Sequence, residues 1–214
     1  MTLYRAASRW SGLIMICLLG GCVGSLLSGG QPDNLYRFGA SGPMGVSSPA
    51  PITPLTILLE KVHFVPEIEG DRMLAAHDGT TRYIKGSRWI TSAPSLFTQA
   101  MVRSIQVRAP GLRVTTVQGG TGSGYALAIT ITRFEAQYDD AGMIYPPTIV
   151  MEGDAALYGL SDHKVLAQRH MVTRATAERN HAADIVSAFD QATRLLTADV
   201  TDWVQSATLS QGPE

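Results

Sequence analysis

Cysteine is almost missing from this chain of 214 residues, and the two it has sit close together near the start. Cys17 and Cys22 leave everything after residue 22 without a thiol to form a disulfide, attack a substrate or hold a metal. Charge is sparse as well, at 16% of residues with a formal net charge of -1. No basic run occurs, so the electrostatic footprint of a nucleic-acid binder is absent. Long apolar runs are also lacking. The most apolar stretch, Leu13 to Leu19, breaks at Gly20-Gly21, well short of the roughly 20 residues that a membrane-spanning helix needs.

Catalytic signatures are equally thin. The histidines His63, His77, His163, His170 and His181 show neither H-x-x-x-H nor H-E-x-x-H spacing, so the sequence names no metal centre. The loop containing Gly120, Gly122 and Gly124 has no following lysine, and a strand rather than a helix is expected after it. A phosphate loop needs both the lysine and the helix. Thr121-Gly122-Ser123-Gly124-Tyr125 carries Thr121 and Tyr125 where a nucleophile elbow has its outer glycines. No catalytic residue, cofactor or metal is therefore expected. A lipid-anchored hydrolase using Ser123 stays open as a minor alternative.

What is present begins with Leu19-Gly20-Gly21-Cys22. Arg5 and Arg9 precede a short apolar core, then two small residues and a cysteine, which is the pattern of a signal peptide. The last four residues resemble a bacterial lipobox. Cleavage between Gly21 and Cys22 would free an amino group on a cysteine whose thiol carries a diacylglyceryl unit. A further acyl chain, palmitate by expectation, would then join that amino group. One chain holds a protein marginally and two hold it stably, so three make the attachment permanent. Val23 follows, not aspartate, and this leans toward the outer membrane. The expected organisation is a signal peptide over 1–21, a lipidated Gly/Ser/Pro-rich tether over 22–53, one domain over 54–205 and a fraying polar tail over 206–214.

Periodicity fills in the domain. Within the tether, Leu35-Tyr36-Arg37-Phe38 is an apolar island able to add a strand. Pro54 to Pro66 reads as a buried strand, with Ile57, Leu59, Lys61 and His63 on one face and Leu58, Val62 and Phe64 on the other. Asp78-Gly79 marks a hairpin between 73–77 and 80–84. Ser92-Ala93-Pro94 opens a helix that runs to about Arg108 through Phe97, Met101 and Ile105. Three longer segments, 125–138, 144–160 and 165–176, form an antiparallel meander. Asn180 is expected to cap a last helix whose apolar stripe is Ile185, Phe189, Ala192, Leu196 and Trp203, interrupted by Asp199. The fold class is α/β: a single domain with a mixed, largely antiparallel sheet and two main helices, an α/β sandwich. Arg88 and Trp89 are the candidate partner-interface residues, since Arg and Trp are frequent at binding hot spots. For Trp89, packing under the first helix is the competing reading.

The ordered set of these features resembles the ABC-type transport auxiliary lipoprotein family. The residues that carry the resemblance are Cys22, Tyr36-Arg37-Phe38, the strand closed by Pro66, Arg82-Tyr83, Arg88-Trp89, the helix begun at Pro94, Ile131-Thr132-Arg133-Phe134 and the closing Trp203-Val204. The resemblance implies a non-enzymatic lipoprotein in the cell envelope of a Gram-negative bacterium, facing the periplasm. It implies partners too: an MCE (mammalian cell entry) domain protein and the ABC permease and ATPase of a lipid transport system, with the accessory protein able to assemble into a homo-oligomeric ring. The long tether and the glycine loop depart from the family pattern. A cell-envelope scaffold or assembly lipoprotein unrelated to lipid transport is the alternative.

Overall fold

The computed structural model describes residues 32–40, 55–117, 124–139 and 144–210. The lipobox with Gly21 and Cys22, and the glycine loop with Ser123, lie outside them. The described elements belong to one compact unit, which begins at Asn34.

Chain order is Asn34–Tyr36 (β1), Leu55–Leu59 (β2), His63–Phe64 (β3), Arg72–His77 (β4), Thr80–Trp89 (β5), Ala93–Arg108 (α1), Leu112–Thr115 (β6), Gly124–Gln137 (β7), Thr148–Gly159 (β8), Val165–Thr176 (β9) and Ala182–Leu209 (α2). The nine strands make one open, mixed sheet. Its long ladders are antiparallel, β4 with β5 and the β7–β8–β9 meander. Short parallel ladders complete it. The fold class is the expected one.

β7 is the spine of this arrangement. One of its edges is taken by β8 along almost its whole length. The other is shared end to end by β2, β3 and β4, all parallel to it. Two extra residues set which side chains face inward. Leu59 pairs with Leu127 and His63 with Thr130, so four steps on one strand match three on the other. That slip reverses the alternation. Ile57, Leu59, Val62 and Phe64 therefore share the core, while Lys61 and His63 are exposed. This corrects the two-face reading of that strand. A second slip at Thr132 moves the inward series from Leu127, Ile129 and Ile131 to Phe134, Ala136 and Tyr138. Gly153 sits opposite this slip, where an added Cβ would collide with the Thr130 carbonyl oxygen.

Both helices lie on one face of the sheet. α1 has Pro94 in its first turn, buries Phe97, Ala100, Met101 and Ile105 at helical spacing, and ends before Pro110-Gly111. α2 packs beside it. The Ser104 hydroxyl is 2.8 Å from that of Thr201, and Thr193, Thr197 and Thr201 each donate to the carbonyl four residues back. Hydroxyls satisfied in this way sit in a close helix–helix seam without an unpaired polar atom. Six aromatic rings interlock between helices and sheet. Phe38–Trp89 and Phe134–Phe189 centroids are 4.8 Å apart, Trp89–Phe189 5.2 Å and Phe64–Phe97 5.8 Å, all edge-to-face.

Three further details differ from the sequence reading. The residue preceding α2 is His181, not Asn180; the Asn180 side chain instead accepts the Tyr138 hydroxyl at 2.8 Å. The buried stripe of α2 continues through Val200 and Val204, leaving Trp203 partly buried at the rim of the core. α2 also runs on to Leu209, into the stretch read as a fraying tail.

Candidate interaction surface

Among the described residues both helices lie on one side, which leaves the sheet a second, bare face. The alternation of the meander decides what it displays. Ile149, Met151, Ala155 and Leu157 point inward, so Glu152, Asp154, Ala156 and Tyr158 point outward. His170, Val172 and Arg174 of β9 take the same side. The slip at Thr132 puts Arg133 and Glu135 among them.

These charges are paired along and across strands. Arg133 holds Glu135 at 2.6 Å and Glu152 at 3.4 Å. Glu152 then reaches His170 Nε2 at 3.5 Å, and His170 Nδ1 lies 2.9 Å from Asp154. The hydrogen bond to Glu135 raises the Arg133 guanidinium above its already high value, so it is charged at every physiological pH. Beside this row is a shallow trough of about 430 Å³ lined by Ala128, Thr130, Asp154, Ala156, Gln168 and His170. Farther along, Tyr158 packs at the level of Ala126 and Leu58; burial, and then the nearby Glu60 carboxylate, push its phenol up to about 12.

The two sequence candidates separate here. Arg88 lies on the bare face, partly exposed, with its guanidinium 3.0 and 3.1 Å from the two Asp71 carboxylate oxygens. Trp89, one residue on, points the other way and is only 2% exposed, inside the aromatic cluster. Its interface role is thereby withdrawn; it is a core residue. The histidines are scattered, and among the described residues no three His, Cys, Asp or Glu side chains are placed to hold a metal ion. His170 spends its two ring nitrogens on two different carboxylates. Among the described residues no helix is long and apolar enough to cross a membrane.

The apolar island does add a strand, β1, but sequence reasoning missed the polar part of the clasp it forms at the start of the unit. β1 pairs in parallel with the end of β5, Leu35 opposite Arg88 and Tyr36 opposite Trp89. Phe38 then plugs the aromatic cluster at 1% exposure. Gly39, with φ +69°, turns the chain against Ala100; its N–H donates to the buried Asp190 carboxylate at 2.6 Å, and its carbonyl accepts from Arg103. Arg194 holds the other Asp190 oxygen at 3.2 Å. Residues 34–40, within the stretch read from composition as tether, thus belong to the folded unit. The apolar island Leu35–Phe38 was the signal for it.

A family model described as "ABC-type transport auxiliary lipoprotein component" matches residues 36–201. Among solved structures, a Xanthomonas campestris protein of the family DUF330 is similar with a TM-score of 0.71 at 20% identity, covering 83% of this chain and 98% of that one. An uncharacterised protein is similar with a TM-score of 0.65 at 14% identity, covering 81% and 99%. A hypothetical protein from Chlamydia trachomatis reaches 0.51 at 7% identity, covering 74% and 99%. At these identities the likeness is one of fold. No curated protein matches the chain.

Proposed function

This chain belongs to the ABC-type transport auxiliary lipoprotein family, and on that premise we propose that it is the membrane-anchored, non-enzymatic accessory component of an MCE-type system moving phospholipid between inner and outer membranes. The observation that carries the reading is a division of labour along the chain. A lipobox closes at Cys22, and the family match starts at residue 36, inside β1. Anchor and domain are separate parts joined by a short connection.

In this mechanism Cys22 fixes the protein to the periplasmic leaflet of the outer membrane, as Val23 suggests. The domain offers its bare face to the MCE-domain protein of the transporter. Preformed pairs such as Arg133–Glu135 along β7 and Arg133–Glu152 across to β8 present charge without the entropy cost of ordering long side chains on binding. Arg88, held by Asp71, bounds that contact at the β1 end of the face, and Trp89 serves it by anchoring the strand. Several copies can surround one partner as a ring.

The test is an affinity pull-down of the lipidated protein from its native envelope, followed by mass spectrometry. Recovery of an MCE-domain protein with its permease and ATPase is the expected result. Recovery of a different envelope complex would replace the transport reading with the scaffold or assembly reading. Cys22→Ala should leave the precursor unprocessed and without acyl chains; normal acylation of that variant would remove the anchor from the mechanism.

A further inference from the structure

The chain enters the folded unit at β1, and this limits how far the unit can stand from an anchor. Cys22 and Asn34 are twelve residues apart in sequence, and at roughly 3.3–3.6 Å per residue a fully extended segment of that length spans about 40 Å at most. The Gly/Pro-rich stretch 41–54 comes after the clasp, between β1 and β2. It adds nothing to the reach, so the unit is held near the bilayer.

The bare face beside that entry point has its own chemistry. Leu35 is 62% exposed, Ile90 49% and Tyr83 42%. Register brings them together: Leu35 lies opposite Arg88, Arg88 opposite Arg72, and the Arg72 guanidinium sits 4.3 Å above the Tyr83 ring. The Ile90 N–H bonds the Tyr36 carbonyl at 2.8 Å, which sets Ile90 beside β1. Arg37, just past the end of β1, and Lys85 of β5 are exposed as well. Asp71 is matched by Arg88, and Glu67 meets this patch through its carbonyl, bonded by the Tyr83 hydroxyl. Arg37, Arg72 and Lys85 supply the cations of the patch, with the exposed acids Asp33, Glu67 and Glu69 at its margin. Exposed Leu, Ile and Tyr surrounded by long cationic side chains suit the headgroup boundary of an anionic bilayer. The meander end of the same face pairs its cations directly with Glu135, Glu152 and Asp154.

We propose that the β1 edge of the bare face, formed by Leu35, Tyr83 and Ile90 with Arg37 and Arg72, rests on the anionic surface of the bilayer that holds the Cys22 acyl chains. The proposal depends on acylation of Cys22. It stands the sheet on its β1 edge. β9 is five strand spacings away along the sheet, or roughly 24 Å at about 4.8 Å each, and so faces the periplasm where a partner can reach it.

Single cysteines at Leu35, Ile90 and Val165 (L35C, I90C, V165C) give unique labelling sites, because the mature chain's own Cys22 is blocked. The lipidated full chain, labelled with an environment-sensitive fluorophore, is reconstituted into phosphatidylethanolamine/phosphatidylglycerol vesicles containing a headgroup-level quencher. Flotation is measured first. Quenching several-fold greater at positions 35 and 90 than at 165, and reduced by Arg37→Glu with Arg72→Glu, is the expected result. Protein that floats but is quenched equally at all three positions overturns the membrane contact and leaves the anchor intact. Protein that does not float overturns the acylated Cys22 and the proposal with it. Disulfide-linked dimers of unlabelled L35C without quenching of the label would assign this edge to a second copy and overturn the proposal.

Discussion

The two faces of one sheet have opposite characters, although the same strands build both. In β7, Phe134 packs against four rings with centroids 4.8–6.0 Å away, while Arg133 and Glu135 on either side of it form an exposed-side ion pair. The covered face carries the stability, since large aromatic side chains there are removed from water. The bare face carries charge whose pairing contributes little to stability and remains available for recognition. The pleat alone keeps these duties apart, so a substitution on one face should leave the duty of the other largely untouched.

The sharpest way to break this contrast is Trp89→Ala. Truncating a buried tryptophan should cost about 3–5 kcal/mol in urea or thermal unfolding, and a loss below about 1 kcal/mol would remove the covered face from its role. Gly153→Ala drives a methyl group into the Thr130 carbonyl at the β7 slip and should cost about 1–3 kcal/mol by overpacking. Asp190→Ala leaves the Gly39 N–H and Arg194 without their carboxylate. It should cost about 1–3 kcal/mol and speed amide hydrogen exchange over residues 34–40 more than elsewhere; uniform exchange would deny the clasp. On the bare face, Tyr158 gives a pH signature. Its pKa in the fold is raised from 10.0 to about 12, so the stability it contributes is full below pH 10 and is lost as pH rises through 12. Tyr158→Phe should flatten that alkaline loss in the unfolding midpoint. The smallest effect on stability belongs to Arg133→Ala, within about 1 kcal/mol, combined with weakened recovery of the partner in the pull-down. A large stability loss without a binding change would merge the two faces into one structural role.

Sequence patterns recovered the elements whose signal is local. α1 begins with the proline in its first turn and stops at Arg108 as its apolar spacing requires, and the third meander strand spans Val165–Thr176 as expected. The facing of side chains past an inserted residue was not legible. Alternation has a period of two, so the extra residue after Leu59 reverses every position beyond it, and only the partner strand reveals the insertion. Trp203 is a similar case. Over 28 residues the buried stripe of α2 settles on Val200 and Val204, a choice made by the packing surface. For the surface site, Arg88 is a polar residue at a corner and is partly exposed there, whereas Trp89 could be placed only once Phe38, Phe134 and Phe189 were known to close around it. The cross-strand row of Arg133, Glu152 and His170 joins residues far apart in sequence, and no spacing rule announces it.

The shared edge of β7 has a consequence in time. β2, β3 and β4 all precede it in the chain, yet each needs it as a neighbour. A polypeptide that emerges N-terminus first therefore presents three strands that must wait for their common partner, and such non-local pairing delays folding. The β4–β5 hairpin can close early, but the first half cannot finish alone. For a protein bound for export this ordering is an advantage: the leading half stays unfinished, and threadable, until the strand that completes it arrives.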